Sequence, residues 1–573
     1  MAIFSRKMPP PDEPNTPPSN VEIAQAYHDR TKHHVYRYAR SAGYLDWDTQ
    51  PDPFRRFDGT PQTRLPFTPD PGVPFEAIYA PATVPPREIT FDTIAAFFEN
   101  SLAISAWKEY RGARWALRCN PSSGNLHPTE GYLVAGPITG LSDRPGVYHY
   151  CPEDHCIEQR CAFDDVRWQR LVAAFPPHTF FAALTSIHWR EAWKYGERAY
   201  RYCQHDVGHA IAAYAFSAAI QGWQALHLDG VGDATLAALL GVDRDADFPV
   251  VQEREQADCI FAIVPANTTA SVPRSLPVES VQEIAAGTWQ GQANRLSSDH
   301  MEWDVIDTVA QACVKPDRAI SPAPKRSRSS QDAETGVSPC GHSAVQIIRQ
   351  RRSAVAMDGR SGLDCSRFYG MLSRVVPGPQ KMPWTVLGEP ACVHLALFVH
   401  RVKGLKPGLY MLLRNDAAIE PLRAATNPAF LWQRPPGCPE ALSLYLLHPG
   451  DCTNTATLVS CQQDIAGMSA FSLGMLAEFE TSLRDNDAWF YRRLFWETGM
   501  IGQALYLEAE AAGLRATGIG CFFDDAMHEV LGMTDRRYQS LYHFTVGGPV
   551  EDTRLTTLPP YSRARGYPIL HHD

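Results

Sequence analysis

The chain has 573 residues, of which 44% are hydrophobic and 20% charged, and its formal net charge is -10. This length predicts two or more domains, and the composition is typical of a soluble globular protein. A mild negative charge without a long basic stretch argues against a nucleic-acid partner. Residues 1–20 lack the apolar core of a signal peptide, and no later stretch reaches the roughly 18 apolar residues that span a bilayer. We therefore expect a cytoplasmic protein with no membrane partner.

The first predicted domain covers residues 21–314 and follows a disordered, proline-rich tail at residues 1–20. Apolar spacing and turn residues predict its elements in chain order. These are a helix at 21–40, an irregular arm at 50–86, a helix around Phe91, Ile94, Phe97 and Phe98, a strand at 131–135, a hairpin at Pro145, a helix at 168–175, a long helix at 200–221 and a strand at 259–264.

The second predicted domain covers residues 341–573 and is joined to the first by a polar, flexible linker at 315–340. It begins with a helix at 343–352, and its pattern then repeats that of the first domain. One segment repeats without a gap at an offset of 291 positions, since 491 minus 200 and 532 minus 241 are both 291. The matched residues are Tyr200, Arg201, Asp206, Gly208, Gly222, Leu240 and Gly241 with Tyr491, Arg492, Glu497, Gly499, Gly513, Leu531 and Gly532. A period of this size predicts two tandem domains that form a pseudo-dimer.

The fourteen cysteines are scattered through the chain, which is typical of reduced thiols rather than of a disulfide framework. One cluster contains the potential zinc ligands His149, Cys151, His155, Cys156 and Cys161. Their spacing is not that of a structural zinc site. The hairpin that begins at Pro145 would point alternate side chains to opposite faces of a sheet, so we predict no metal.

The octapeptide from Pro121 to Pro128 forms a stiff loop rich in hydrogen-bond donors, which could lie against a planar polar ligand. Arg114 and Arg118 precede it and either face that ligand or form an ion pair that holds the loop. His127 could contact a substrate, but a lone histidine between Leu126 and Pro128 is more typical of a structural residue.

Three separated motifs resemble the FMN-binding nitroreductase superfamily and, within it, the SagB-type dehydrogenase branch. They are the stretches at 118–128, 193–202 and 350–353. The resemblance implies a mixed α+β fold with an antiparallel-dominated sheet flanked by helices. It also implies a flavin bound between two subunits. A basic-basic-Ser triplet and a late glycine-rich turn would come from one subunit, and the Pro-Ser loop would come from the other.

Carried onto this chain, the resemblance implies one FMN site shared by the two domains. The second domain would hold the phosphate and ribityl chain through Arg351, Arg352 and Ser353, through the turn of Gly518, Ile519 and Gly520, and through Arg563 near the C-terminus. The first domain would contact the flavin ring through Pro121, Ser122, Ser123, Gly124 and Asn125.

Each domain lacks the flavin-binding residues that the other domain retains. At the offset of 291, Gly518 and Gly520 correspond to His227 and Asp229, and a carboxylate would repel a phosphate. The second domain has residues 385–389 in place of the Pro-Ser loop. We therefore predict one flavin per chain and an empty mirror site. Val355 stands where many relatives of the superfamily carry a second basic residue.

Lys194 and Tyr195 are the predicted catalytic residues, because they resemble the Lys-Tyr pair that the SagB-type branch uses in azoline oxidation. A buried lysine can serve as a base and a tyrosine can relay a proton. The alternative interpretation is a surface lysine beside a core tyrosine. Similarly, Tyr27, His28 and Lys32 either line the mouth of the pocket or form a solvated helix face.

Three functions remain open at this stage. The leading hypothesis is an FMN-dependent dehydrogenase that acts on a small-molecule or peptide-borne substrate. The alternatives are an NAD(P)H-dependent nitro or quinone reductase and a flavin-free scaffold in a peptide-modifying complex. Whether the monomeric pseudo-dimer associates further also stays open.

Overall fold

The computed structural model describes residues 17–319, 339–378, 381–388 and 390–561. The tail up to residue 16, most of the predicted linker, Glu389 and Arg563 lie outside these residues. Within them, no helix is both long and apolar enough to cross a lipid bilayer.

The helices begin and end as follows, in chain order: α1 Asn20–Arg30, α2 Phe91–Glu99, α3 Asp165–Val172, α4 His188–Tyr195, α5 Ala199–Ile220, α6 Asp233–Leu240, α7 Val278–Ala285, α8 Asp304–Ala312, α9 Ala344–Gln350, α10 Cys365–Val375, α11 Ile419–Ala425, α12 Thr453–Val459, α13 Asp464–Gly467, α14 Phe479–Asn486, α15 Phe490–Ala511 and α16 Asp524–Leu531.

The strands are β1 Phe57–Asp58, β2 Gln62–Arg64, β3 Ile104–Tyr110, β4 Ala113–Arg118, β5 Thr129–Ala135, β6 Gly146–Cys151, β7 Cys156–Ala162, β8 Phe180–Ser186, β9 Trp223–His227, β10 Gln256–Pro265, β11 Gln292–Ala293, β12 Leu363–Asp364, β13 Val393–Val399, β14 Val402–Lys403, β15 Gly408–Leu413, β16 Ser443–Pro449, β17 Phe471–Glu478, β18 Arg515–Ile519, β19 Tyr538–Gly547 and β20 Thr556–Leu558.

Two antiparallel sheets of the same topology form the framework. The first has the strand order β2-β7-β6-β5-β8-β10-β9, and the second has β16-β15-β13-β17-β19-β18. When the edge strand β2 is left out, both sheets have six strands, and their spatial order follows from their order in the sequence in the same way. The predicted α+β fold class, with antiparallel sheets flanked by helices, is confirmed. The matching order also supports a tandem duplication.

Two 22-residue helices, α5 and α15, pack against each other between the sheets. Every residue of α5 is buried, and so is nearly every residue of α15. Helices buried on all sides are typical of the centre of a large core, and these two also carry buried ionisable residues such as Asp206 and Arg492. The two helices span equivalent residues at the offset of 291.

Two equivalent helices also end alike. Gly241 after α6 and Gly532 after α16 both adopt a left-handed backbone, with φ of 68° and 73°. This conformation satisfies the last helical carbonyl groups and favours glycine because glycine has no Cβ. The sequence repeat therefore includes residues with the same backbone role.

Each half sends a terminal segment onto the other. Strand β20 pairs antiparallel with β3 of the first half, and the hydroxyl of Tyr561 donates a hydrogen bond to Pro152 O at 2.7 Å. In the opposite direction, Lys32 just after α1 pairs with Asp525 at 2.9 Å. The two halves are intertwined through these segments.

Most predicted elements of the first half are present. The hairpin after Pro145 is formed by β6 and β7, and residues 50–86 contain only short strands and 3-10 turns. The helix predicted at 21–40 was too long, because α1 ends at Arg30 and Thr31 forms its C-cap. The segment that follows is held by contacts to the second half, which local sequence does not reveal.

Candidate functional site

A cleft of about 430 Å³ lies between the two halves. Polar and charged side chains of the first half line one side, and three arginines of the second half line the other together with the carboxylates of Glu551 and Asp552. Among its lining residues are Lys108, Arg118, Pro121, Ser122, Ser123, Gly124, Asn125, Lys194, Asp206, Arg351, Arg352, Ser353, Tyr506, Arg515, Thr517, Gly518 and Tyr542. The structure thus brings most of the predicted site residues together from both halves.

The loop on the first-half side folds tightly after β4. Gly124 and Asn125 both have positive φ, at 61° and 57°. A Cβ at Gly124 would lie 2.8 Å from the hydroxyl of Tyr195 and 3.0 Å from Nζ of Lys194. Glycine is required here because the predicted catalytic pair packs directly under the loop.

Ser122 holds the loop and faces two buried carboxyl groups. Its Oγ accepts a hydrogen bond from the backbone amide of His127 at 2.8 Å and lies 3.5 Å from Oε1 of Glu191. The amide of Ser123 lies 3.4 Å from Oδ1 of Asp206. One oxygen of each carboxyl group lacks a partner among the described residues.

Burial determines the protonation of these two acids. It raises the pKa of Asp206 to about 8, despite hydrogen bonds from Ser122 and Ser123. Burial and the neighbouring Asp206 raise the pKa of Glu191 well above its usual range. A protonated carboxyl pair therefore lies beneath the loop at neutral pH. The sequence analysis missed this pair, although an acid on each of two helices near the motif was a usable signal.

On the second-half side, Arg351 is buried but only partly bonded. Its Nη2 donates to Arg118 O at 3.0 Å, and its guanidinium lies 4.9 Å from the centre of the Tyr506 ring. Its Nε and Nη1 have no hydrogen-bond partner in the described part of the chain. Unpaired donors on a buried cation are costly and indicate a place for an anion.

Arg352 and two further cations strengthen this positive charge. Burial and the adjacent Arg351 lower the pKa of Arg352 to about 10. Lys108 on β3 and Arg515 on β18 also line the cleft. Neither was predicted, because each reaches the cleft through strand pairing rather than through a local motif. They supply basic charge near Val355, which is itself 66% exposed.

Tyr506 ties the basic triplet to the glycine-containing strand. Its hydroxyl lies 3.0 Å from the Oγ of Ser353 and accepts a hydrogen bond from the amide of Gly518 at 2.9 Å. Thr517 donates to Ala354 O at 2.6 Å. The residues at 353–354 and 517–518 therefore form one rigid wall of the cleft.

The predicted glycine turn at 517–520 needs correction. Residues 515–519 form the strand β18, and the side chain of Ile519 packs in the second half's apolar core instead of lining the cleft. Gly518 makes room for Tyr542, because a Cβ there would lie 2.6 Å from that ring's Cζ. Gly520 similarly lies against the ring of Tyr202, outside the cleft lining. A backbone contact of these residues with a ligand stays a prediction.

Lys194 and Tyr195 end α4 and differ in exposure to the cleft. Lys194 lines it, whereas Tyr195 lies just behind the loop with its ring 4.5 Å from that of Tyr202. Burial, together with the nearby Glu191, raises the pKa of Tyr195 well above its usual range. The tyrosine therefore keeps its proton at neutral pH.

The arginines before the loop separate into two roles. Arg118 lines the cleft and donates to Pro53 O at 2.6 Å and to Thr129 O at 3.3 Å. Arg114 is exposed and stacks on Trp107 at 4.0 Å from the ring centre. Among the described residues neither forms an ion pair. The structural interpretation of His127 agrees with its hydrogen bond between Nε2 and Ala116 O at 3.1 Å.

Tyr27, His28 and Lys32 do not line the cleft, and they are not a solvated face either. The Tyr27 hydroxyl donates to Glu197 O at 2.7 Å. His28 Nε2 lies 3.2 Å from Oε1 of Gln539 in the other half. Both alternatives were wrong because all three side chains are buried, and those of His28 and Lys32 contact the second half.

The mirror position is filled by protein. The backbone amide of His227 donates to Val386 O at 3.1 Å, and Arg274 donates to His227 O at 2.8 Å. Lys315 packs nearby and donates to Val231 O at 2.7 Å. These contacts occupy the place where the other half has its cleft.

One member of the histidine and cysteine cluster on the first sheet, His149, belongs to an ion-pair network. His149 Nδ1 lies 2.9 Å from Oε2 of Glu158, and its Nε2 lies 3.1 Å from Oε2 of Glu130. Burial opposes the charge, but the two carboxylates outweigh it and raise the pKa of His149 to about 10. In the described residues no group of three or more His, Cys, Asp or Glu side chains is placed to hold a metal ion.

Comparisons with known proteins agree with this architecture. Residues 424–548 match the nitroreductase family. A candidate nitroreductase from Anabaena variabilis superposes with a TM-score of 0.65 at 20% identity, covering 92% of this chain and 99% of its own. The chain therefore has the nitroreductase fold.

Two other structures cover smaller parts. The E. coli microcin synthetase McbBCD complex matches 35% of this chain and 70% of its own, with a TM-score of 0.27 at 17% identity. An FMN-dependent nitroreductase from Clostridium difficile matches 36% of this chain and 88% of its own, with a TM-score of 0.20 at 11% identity. No curated protein matches the chain.

Proposed function

We propose that the chain is an FMN-dependent oxidoreductase of the SagB-type dehydrogenase kind, which transfers hydride between a small or peptide-borne substrate and the flavin. One observation carries the proposal. The cleft joins Pro121–Asn125 and Lys194 of the first half to Arg351–Ser353 and Gly518 of the second. Neither half has both sets, so one chain would hold one flavin as a monomeric pseudo-dimer.

The basic side of the cleft fits a phosphate. Arg351 keeps two buried N–H groups without partners among the described residues, and Arg352 lies beside it. Burial and then Arg352 lower the pKa of Lys108, so these cations already disfavour one another. A phosphate dianion would satisfy the unpaired donors and relieve this repulsion. We assign the phosphate-binding end of the cleft to Arg351, Arg352, Ser353, Lys108 and Arg515.

The opposite side fits a polar planar ring. Ser123 and Asn125 offer hydrogen-bonding groups at the cleft surface, while Ser122 is turned towards His127 and the acid pair. When bound, a flavin would supply the hydride chemistry, and the protein would bind, orient and tune it. Here the loop would position the ring, and Gly124 would let Lys194 approach it closely.

Lys194 and Tyr195 would handle the substrate proton. Oxidation of an azoline requires the removal of a proton together with a hydride. The Lys194 side chain lies at the cleft surface and in its neutral form could accept that proton. Tyr195 lies behind Lys194. Its pKa is raised by burial, so its hydroxyl would stay protonated and serve as a hydrogen-bond donor. Because burial keeps Glu191 and Asp206 protonated, this pair would add no negative charge beneath the loop.

An NAD(P)H-dependent nitro or quinone reductase is the second candidate, favoured by the family match at residues 424–548. Steady-state assays with NADPH and nitrofurazone separate the two. Rapid turnover would contradict the dehydrogenase proposal. Oxidation of a thiazoline peptide with bleaching of the flavin absorbance would support it.

The absorbance spectrum of the purified full-length protein tests the shared site. We expect a yellow protein with one FMN per chain. Substitution of Ser123 by proline in one half, or of Arg352 by methionine in the other, should each abolish the colour. A colourless protein that takes up no added FMN would instead favour the flavin-free scaffold. Two FMN per chain would contradict the filled mirror position.

A further inference from the structure

A pair of thiols lies beside the second-half wall of the cleft. Sγ of Cys461 and Sγ of Cys521 are 2.7 Å apart, and both cysteines are free and half-buried. Cys461 follows α12, whereas Cys521 lies between β18 and α16. A disulfide has an S–S distance of about 2.05 Å, so a movement of less than about 1 Å would join the sulfurs.

The two loops that carry the thiols are fixed to each other. The side-chain amide of Gln463 donates to both Ser460 O and Cys521 O, each at 2.9 Å. The amide of Phe523 donates to Val459 O at 2.8 Å. Cys461 itself has a positive φ of 54°, which turns its side chain towards the other loop. These hydrogen bonds therefore hold the two loops, and with them the two sulfurs, close together.

The surroundings of Cys521 favour its thiolate. The Cys461 sulfur at 2.7 Å, His33 and Arg198 together lower the pKa of Cys521 against the effect of burial. Nδ1 of His33 accepts a hydrogen bond from the amide of Ala39 at 2.9 Å. In the neutral ring the proton is then on Nε2, which is the nitrogen left to donate to sulfur.

The same contacts distinguish the roles of the two thiols. Cys461 keeps its proton while Cys521 is ionised, because the hydrogen bond to Cys521 raises the pKa of Cys461. The thiolate is the nucleophile in thiol chemistry, and the neighbouring thiol can resolve the product. At the offset of 291, Cys521 corresponds to Gly230, so the pair is confined to the second half.

We propose that Cys461 and Cys521 form a dithiol centre that reduces low-molecular-weight disulfides. The Cys521 thiolate attacks one sulfur of a disulfide RSSR, so the S–S bond breaks, a Cys521–SR bond forms and RS⁻ leaves. Cys461 then loses its proton and attacks the sulfur of Cys521, which forms the Cys461–Cys521 disulfide and releases the second RS⁻. Each thiolate takes up one proton. The protein dithiol is oxidised by two electrons, and one RSSR is reduced to two RSH.

This activity is independent of the flavin proposal. The thiols lie next to Gly520, which packs against Tyr202 behind the cleft, and they do not line the cleft. Cys151 and Cys156 provide an internal comparison, because they also face each other across a hairpin but are fully buried. Their thiols should not react while the protein is folded.

Glutathione disulfide and the native full-length protein test the proposal. We expect two glutathione thiols released per chain and a Cys461–Cys521 link found by peptide mass mapping. Cys461→Ser should stop after one thiol and keep glutathione on Cys521. Cys521→Ser should react at least about tenfold more slowly, whereas the half-buried Cys438→Ser should match the unchanged protein.

Alkylation of the unchanged protein with iodoacetamide provides a measurement that needs no variant. Cys521 should react at least about tenfold faster than Cys438, and Cys151 and Cys156 should not react. Equal rates at Cys521 and Cys438, or no adduct on Cys521 in Cys461→Ser, would overturn the proposal. So would stoichiometric zinc in the purified protein that is lost in both cysteine variants.

Discussion

Gly208 and Gly499 face each other where α5 crosses α15. A Cβ on Gly499 would lie 2.8 Å from Cα of Gly208, and a Cβ on Gly208 would lie 2.9 Å from Cα of Gly499. The Cβ on Gly499 would also collide with the carbonyl oxygen of His205, and the Cβ on Gly208 would collide with that of Trp496. Since 499 minus 208 and 496 minus 205 are both 291, these contacts are related by the sequence repeat.

Gly499→Ala tests this crossing. Helix propensity alone predicts a gain of about 1 kcal/mol, because alanine is the better helix former. The collision with rigid backbone predicts the opposite sign, a loss of about 3 kcal/mol or more. Urea unfolding should show the loss, accompanied by weaker FMN binding, because the cleft needs both halves in register.

Gly378→Ala is the control, since among the described residues a Cβ there meets just the Lys381 side chain, at an ordinary 3.4 Å. A stable Gly499→Ala protein would mean that the helices can separate without cost. The packing of α5 against α15 would then not depend on the paired glycines.

Arg351→Met separates binding from stability. Arg351 has two buried N–H groups without partners among the described residues, so its replacement removes an unfavourable buried charge and one hydrogen bond to Arg118 O. We expect the free energy of unfolding of the apoprotein to change by only about 1 kcal/mol. FMN affinity should fall by about 10- to 100-fold, because a bond to a charged group contributes about 1.5–3 kcal/mol.

Thermal denaturation with and without FMN measures both quantities. Arg114→Met is the control, because that exposed arginine stacks on Trp107 outside the cleft lining. A large loss of apoprotein stability in Arg351→Met, with normal FMN affinity, would show that Arg351 is only structural.

Local patterns and the repeat predicted much of this architecture. The register of 291 placed Gly208, Gly499, Gly241 and Gly532 correctly, because each fills a backbone role that tolerates no Cβ. The cleft between the halves was expected from the resemblance to the nitroreductase superfamily and not from the repeat alone.

The failures have a different origin. His28 was expected at the pocket mouth or on a solvated helix face, but its partner Gln539 is more than five hundred residues away in the chain. Lys108 was missed because β3 reaches the cleft region as part of a small sheet with β4 and β20. Such long-range pairings leave no periodic signal in the sequence. Gly518 and Gly520 were read as a ligand-binding turn, but Gly518 within β18 makes room for Tyr542, and Gly520 just after the strand makes room for Tyr202.

Asp206→Asn should change the pH dependence of stability. Burial raises the pKa of Asp206 from 3.8 to about 8, so the folded state binds more protons than the unfolded state between these values. The stability linked to this proton is complete below about pH 4 and is lost as the pH rises through 8. The asparagine variant should show a flatter profile and gain stability relative to the unchanged protein over this range.

Urea unfolding between pH 4 and pH 8.5 measures the effect. Each pKa unit corresponds to about 1.4 kcal/mol, so a difference of a few kcal/mol is expected. Asp154→Asn changes an exposed acid and serves as the control. Parallel profiles for Asp206→Asn and the unchanged protein would contradict a protonated acid pair.

Lys194→Met tests the assignment of the base, which depends on the proposed function. Lys194 lines the cleft beside Gly124, and its replacement leaves the arginines and the loop in place. FMN binding should therefore stay within about threefold of the unchanged protein, since phosphate contacts carry most of the affinity. The rate of flavin bleaching by a thiazoline peptide should fall by at least about 100-fold, because a positioned base contributes about 10²–10⁴.

Tyr195→Phe and the exposed Lys406→Met complete this comparison. The phenylalanine variant should bind FMN normally and lose less activity than Lys194→Met, because the tyrosine hydroxyl lies behind the loop. Lys406→Met should behave as the unchanged protein. If Lys194→Met keeps its bleaching rate while Tyr195→Phe loses it, the proton passes to the tyrosine and the lysine only packs under Gly124.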